Sequence, residues 1–166
     1  MEGGGEGASF SSIKRMKQFA LIVCLLVTLL PFGPTETQWT LILREERQGE
    51  RLYQSTVEAG DVLELSWIHS IEKTPWIERY RVKEDGTFVL NELVLQSFGA
   101  GTPANKGKLI MNDGLITMTN IEEAHEAIRW IHSHTAEYRL KKNGAVILES
   151  SELPHHESIE MVLKKR

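Results

Sequence analysis

Between positions 69 and 80 the chain sets out an imidazole, a hydroxyl, two carboxylates, an ammonium, an indole and a phenol: His69, Ser70, Glu72, Lys73, Trp76, Glu78 and Tyr80. Three kinds of chemistry are open to them. Glu78 and His69 can satisfy each other as a buried pair whose effect is structural. With Ser70, Glu72, Lys73 and Trp76 they can instead bind a ligand, the indole giving contact area and the ammonium meeting an anionic group. Finally, Glu78 or His69 as general base, or Ser70 with Lys73, would make a hydrolase. No nucleophile elbow surrounds Ser70, so no catalytic residue is assigned.

Gly99-Ala100-Gly101 is a second candidate. Two glycines one residue apart allow a close approach of backbone N–H groups to a ligand. The third glycine and the helix of a dinucleotide fingerprint are missing, and no cofactor is expected. His125, His132, His134, His155 and His156 gather late in the chain. There is no HExxH and no cysteine partner, so no metal site is expected; exposed histidines would titrate with external pH.

Strand periodicity must position these groups. Asp61 to His69 alternates, with Leu63, Leu65, Trp67 and His69 on one face and Glu64 and Ser66 on the other. Trp76 to Val82 follows, then an Asp85-Gly86 hairpin signal and Thr87 to Phe98. Pairing Glu84 with Thr87 opposes Val82 to Val89, Tyr80 to Asn91, Glu78 to Leu93 and Trp76 to Leu95. Trp76, Glu78, Tyr80, Val82, Val89, Leu93 and Leu95 then share the buried face, and Arg79, Arg81, Leu90 and Glu92 the other. Pairing His69 with Trp76 makes His69 and Glu78 diagonal neighbours, roughly 7–8 Å apart. A carboxylate on a buried face needs a partner; His69 is the first candidate and Lys73 the second.

Other strands are expected at Trp39–Leu43, at Lys108–Met111 and Leu115–Thr119 around Asn112-Asp113-Gly114, at Tyr138–Leu140 and Ala145–Leu148 around Asn143-Gly144, and at Ser158–Leu163. Ile121–His125 reads as a short helical turn, with Asn120 and Glu123 resembling a capping box, and Ala127–Ser133 as a strand. Eight or nine strands predict an all-β fold, an antiparallel β-sandwich or flattened barrel, over residues 38–166.

The front of the chain is of a different kind. Residues 1–17 read as a disordered lead ending in Lys14-Arg15-Met16-Lys17, and residues 18–33 as a hydrophobic signal or anchor helix. Phe19–Leu30 is apolar apart from Thr28, and Pro31, Gly33 and Pro34 end it. Twelve helical residues rise only about 18 Å, short of a hydrocarbon core of about 30 Å. No small-x-small cleavage site follows, which favours an uncleaved anchor with the rest on the extracytoplasmic face; cleavage would make the domain secreted. Cys24 is the single cysteine and fits a lipid-anchoring site poorly, so the expected domain has no disulfide and no thiolate.

With 166 residues, 41% hydrophobic and 25% charged, the chain can build one packed domain and is no collagen-like, disordered or multi-pass membrane sequence. Residues 35–166 hold 21 acids and 16 bases, a net −5. That balance argues against nucleic acid as a partner.

His69-Ser70-x-Glu72-Lys73-x-Pro75-Trp76-x-Glu78-x-Tyr80 and Gly99-Ala100-Gly101 resemble an uncharacterised bacterial family of short exported or anchored domains. Its members are commonly encoded beside TAXI-type TRAP transporters, which take up small organic anions. The resemblance runs from about Trp39 to the C-terminus, with the histidine-rich stretch outside it. It implies transporter subunits as partners, a small organic anion as ligand, and an accessory role in uptake. A cell-surface hydrolase using a His/Glu pair and a purely structural envelope interaction domain are the alternatives.

Overall fold

The computed structural model describes residues 37–99, 101–103 and 106–166. The basic lead, the signal or anchor segment, Cys24 and Ala100 lie outside the described residues. Among those described, no helix is long and apolar enough to cross a membrane.

Among the described residues eleven strands form two antiparallel sheets. The smaller sheet has the order β2 (Arg51–Glu58), β1 (Gln38–Glu45), β11 (Ser158–Lys165) and β8 (Ala127–Ile131). The larger has the order β10 (Ala145–Leu148), β9 (Arg139–Lys142), β3 (Val62–Ile68), β4 (Pro75–Val82), β5 (Phe88–Leu95), β7 (Leu115–His125) and β6 (Lys108–Asn112). The sheets do not close on each other, so the fold is a sandwich and not a barrel. Leu41, Leu43, Ile159 and Met161 of one sheet meet Leu63, Leu65, Val82, Phe88 and Leu140 of the other in the main core. Each strand contributes its alternate residues to that layer, as a half-buried strand must.

Two hairpins use the predicted turn chemistry. Asp113-Gly114 and Asn143-Gly144 both take positive φ at both positions, the type I′ geometry that matches strand twist. The β4–β5 hairpin differs from expectation. Its loop closes between Lys83 and Thr87, so Val82 opposes Phe88, Arg81 opposes Val89 and Tyr80 opposes Leu90. A bulge then leaves Asn91 without an opposite residue, and Glu78↔Leu93 and Trp76↔Leu95 recover the expected register. The buried face near the turn is therefore Phe88 and Leu90, and Val89 lies on the other face.

Three further expectations are corrected. Ile121–His125 is the end of β7, not a helical turn: Phe88, Val89 and Leu90 pair with His125, Ala124 and Glu123, and this pairing overrides helical periodicity. Asn120 and Glu122 absorb the local kink at positive φ. Arg51–Glu58, whose alternation is half polar, forms an unexpected strand against β1. The strand count among the described residues is therefore eleven rather than eight or nine.

Sheet pairing also gives the sandwich two distinct poles. Gln38, Glu58 and Lys165 lie at one, where the Ala59–Asp61 turn leads from β2 into β3. Ile131, Ser158 and Glu45 lie at the other, with the loop that follows Ile68.

Candidate functional site

The β3–β4 loop is built by His69. Its backbone N–H donates to the Thr74 carbonyl at 2.9 Å, and its own carbonyl accepts the Lys73 N–H at 3.0 Å. These bonds close a loop of Ser70, Ile71, Glu72 and Lys73. Lys73 takes the left-handed conformation, φ 56°, that lets the chain turn back into β4. The His69 side chain contributes as well: Nδ1 accepts the Glu72 N–H at 3.2 Å. A neutral ring with Nδ1 so occupied carries its proton on Nε2.

Trp67 and Trp76 are directly opposed across β3 and β4. Their rings stack with centroids 5.5 Å apart. His69 continues the stack on the outer side of Trp76 at 5.5 Å, and Tyr138 continues it on Trp67 at 5.4 Å. Tyr138 then touches Trp130 at 6.0 Å and His132 at 5.4 Å. A run of rings thus spans from the β3–β4 loop to the end of the smaller sheet. Offset stacking of this kind adds roughly 0.5–1.5 kcal/mol per pair beyond the area buried.

Beside this column is an open cleft of about 440 Å³. Trp67, Ile68, His69, Ser70, Lys73 and Trp76 line one side. Ile131, Ser133, Thr135, Ala136 and Tyr138 line the other, on and around the short 3-10 helix His134–Ala136 that links β8 to β9. The Ser133 and Thr135 hydroxyls are 2.9 Å apart. Four residues expected in a site, His69, Ser70, Lys73 and Trp76, are therefore brought to one cavity. Trp67, Ile131, Ser133, Thr135 and Tyr138 join them without having been singled out. Only the alternation that put Trp67 on the face of His69 hinted at any of these five.

The remaining expected site residues lie elsewhere. Glu78 does point inward, but it does not pair with His69 or Lys73. Its carboxylate accepts the Trp76 indole N–H at 3.2 Å and the Tyr80 hydroxyl. The β3–β4 register places Leu65, not Trp67, opposite Glu78 and carries His69 out beyond Trp76. Neighbours two residues away on the same strand thus satisfy the acid. Burial and the adjacent Glu78 charge push the Tyr80 hydroxyl far above the usual phenol range. Burial, then Glu78, also raises Tyr138. Both phenols stay protonated, and Tyr80 is a donor to the carboxylate.

Glu72 turns away from the cleft and covers Gly99, where an added Cβ would collide with its carboxylate. Gly99 thus touches the β3–β4 loop, but neither it nor Gly101 lines the cavity. Gly101 has φ +84° and is exposed. The Gly99 N–H is taken by the Thr102 hydroxyl at 3.0 Å, which removes one backbone donor from any ligand.

Of the late histidines, His132, His134, His155 and His156 form a connected group in which the last three are exposed as expected and His132 is not, while His125 lies apart in β7, edge-on to Tyr80. His132 is fully buried: Nε2 lies 2.9 Å from the Ser150 carbonyl and Nδ1 accepts the Trp130 indole N–H at 3.4 Å. Burial lowers its pKa, with His134 and His155 adding to the effect and the Ser150 carbonyl opposing it. His134 holds the 3-10 helix by Nε2 against the Leu153 carbonyl at 2.8 Å and by its N–H to His155 Nδ1 at 3.0 Å. His155 stacks on His156 at 3.7 Å. Burial and then the two neighbouring imidazoles lower the His155 pKa. Among the described residues no group of three or more His, Cys, Asp or Glu is arranged to hold a metal ion.

Chemically, the cleft combines aromatic and aliphatic walls with one ammonium, one imidazole N–H and several hydroxyls. Such a lining can bind and orient a small molecule. A family model described as "Domain of unknown function (DUF1850)" matches residues 63–148, a span that runs from β3 through β10. No curated protein and no solved structure matches the chain.

Proposed function

The chain belongs to the DUF1850 family, and we propose that it is an extracytoplasmic binding domain, anchored to the cell membrane, that serves uptake of small organic anions by a TRAP-type transporter. The observation that carries the binding reading is the cleft itself. It opens beside the His69–Trp76–Trp67–Tyr138 stack with Lys73 and three hydroxyl-bearing residues, Ser70, Ser133 and Thr135, on its walls. The membrane and transporter parts rest on the cation-led apolar run before Pro31 and on the resemblance of the His69–Tyr80 motif.

Two measurements test it. Organic anions titrated against the full chain should change tryptophan emission, and Trp76→Ala should abolish the change while leaving the urea unfolding midpoint within the range of a half-exposed site. Uptake of the same anion by cells should fall in the Trp76→Ala strain. A panel of small carboxylates that leaves the emission of the folded chain unchanged would end the binding reading.

The hydrolase reading gains no support, because Glu78 is held by Trp76 and Tyr80 while His69 accepts from Glu72. The interaction-domain reading has one observation in its favour. The β6–β7 hairpin exposes Ile110, Met111 and Leu115 at the edge of the larger sheet. Met111→Lys should impair uptake under that reading and leave anion binding intact under either.

A further inference from the structure

We infer that the cleft selects a monocarboxylate with an apolar body, an inference that rests on the binding reading above. Charge decides the sign and the number. Among the described residues Lys73 is the one side chain of fixed charge lining the cavity. The lysine ion pairs among the described residues belong to Lys106, Lys141 and Lys142, and leave Lys73 without a carboxylate. The two acids that flank this loop in sequence are turned elsewhere, Glu72 onto Gly99 and Glu78 into the bonds from Trp76 and Tyr80.

Lys73 is exposed at the cleft, and an ammonium without a carboxylate partner there draws an anion toward the aromatic walls beside it. One ammonium balances one negative charge. A second carboxylate, or a phosphate dianion, would lie unpaired against tryptophan and isoleucine and lose its hydration there.

The neutral donors fit the same ligand. His69 offers Nε2–H, since Nδ1 is occupied by Glu72 N–H, and Ser70 adds a hydroxyl on the same loop. A carboxylate accepts from such donors at both oxygens. The Lys73 N–H bond to the His69 carbonyl fixes where the lysine stem leaves the backbone, so ammonium and imidazole stay on one loop. Trp67, Trp76 and Ile131 leave an apolar surface for the rest of the ligand, and about 440 Å³ is room for a body the size of a benzyl group.

The test is calorimetry on the full chain with four probes at millimolar concentration: phenylacetate, its neutral analogue phenylacetamide, succinate and inorganic phosphate. Phenylacetate should bind at least about tenfold more tightly than each of the others, a difference of about 1.4 kcal/mol. Lys73→Gln should remove that preference over phenylacetamide, and Lys73→Arg should keep it, with the unfolding midpoint of both variants near that of the parent. Equal binding of phenylacetamide would overturn the charge assignment, and tighter binding of succinate or phosphate would overturn the single-charge class. Either result leaves the cleft a binding site. No heat from any of the four, on a chain shown to be folded, would overturn this inference and the binding reading together.

Discussion

Trp76 and Glu78 lie two residues apart on one face of β4, and the indole N–H donates to the carboxylate at 3.2 Å. Tyr80, two residues further, donates to the other carboxylate oxygen. The acid therefore acts as a clamp that sets the plane of the Trp76 ring, which in turn carries Trp67 and His69 on its two faces. Glu78→Ala strands both donors, at a cost of about 1–3 kcal/mol for each buried one. Glu78→Gln keeps an acceptor and should cost less than half as much. Urea unfolding with an unchanged m-value checks the ranking, and near-ultraviolet circular dichroism should show the aromatic signal falling in the Ala variant first. Equal loss in both variants would mean that the carboxylate charge, not its acceptor role, is what matters.

His132 makes stability depend on pH. Its pKa is lowered in the folded chain, so below the ordinary histidine value of about 6.5 the unfolded state binds the extra proton. The contribution is complete above about pH 6.5 and is lost progressively as the pH falls from there toward the lowered value. The slope reaches at most about 1.4 kcal/mol per pH unit for this one proton. Denaturant midpoints from pH 8 to pH 5 should fall, and imidazole nitrogen shifts should show His132 gaining its second proton only below its ordinary value, the neutral ring carrying its proton on Nε2. A ring that titrates at or above its ordinary value would contradict the burial argument.

Glycine replacements should separate a sealed contact from a yielding one. Gly86 has φ +82°, and a Cβ there would collide with the ring of Trp39, which packs against the main core. Gly86→Ala should cost about 2 kcal/mol or more, from strain and overpacking together. At Gly99 the obstacle is the free end of an exposed Glu72 side chain. Gly99→Ala should cost less than about 1 kcal/mol, because a surface side chain can swing aside. Thermal midpoints in the reverse order would show that the glycine loop is the more tightly packed of the two.

Tyr138 joins the aromatic rings of the two sheets, touching Trp67 on one side and Trp130 and His132 on the other. Tyr138→Ala should cost about 3–5 kcal/mol, the usual range for deleting a large packed ring. Its hydroxyl makes no hydrogen bond to the described residues, so Tyr138→Phe should stay within about 1 kcal/mol of the parent. Chemical denaturation of the two variants decides it. A costly Phe variant would assign the hydroxyl a bond that packing alone does not supply.

What could be read from residues alone follows from the range over which each signal acts. Alternation along Leu63, Leu65 and Trp67 marks the face of His69, and parity across the hairpin at Asp85-Gly86 marks that of Glu78, because strand parity is local. The same parity made a two-residue error in the β3–β4 register harmless to faces, though it moved His69 from Glu78 to Trp76. In β4–β5 a shifted turn and a bulge at Asn91 cancelled for Trp76 and Glu78, but not for Val89 and Leu90. Ser133, Thr135 and Tyr138 have no local signal that places them beside His69: more than sixty residues intervene, and the 3-10 helix that carries Thr135 between the other two has no periodic mark. The acid's partners, Trp76 and Tyr80, are neighbours on its own strand, which opposition across strands does not mark.

The poles of the sandwich have a practical meaning. The chain passes through Gln38 and Lys165 at the pole opposite His69 and Ile131. A reporter fused behind Arg166, or a solid support coupled there, leaves the mouth of the cavity unobstructed. Sensor-chip capture and fluorescent fusion can therefore both report on ligand entry without themselves standing in its way.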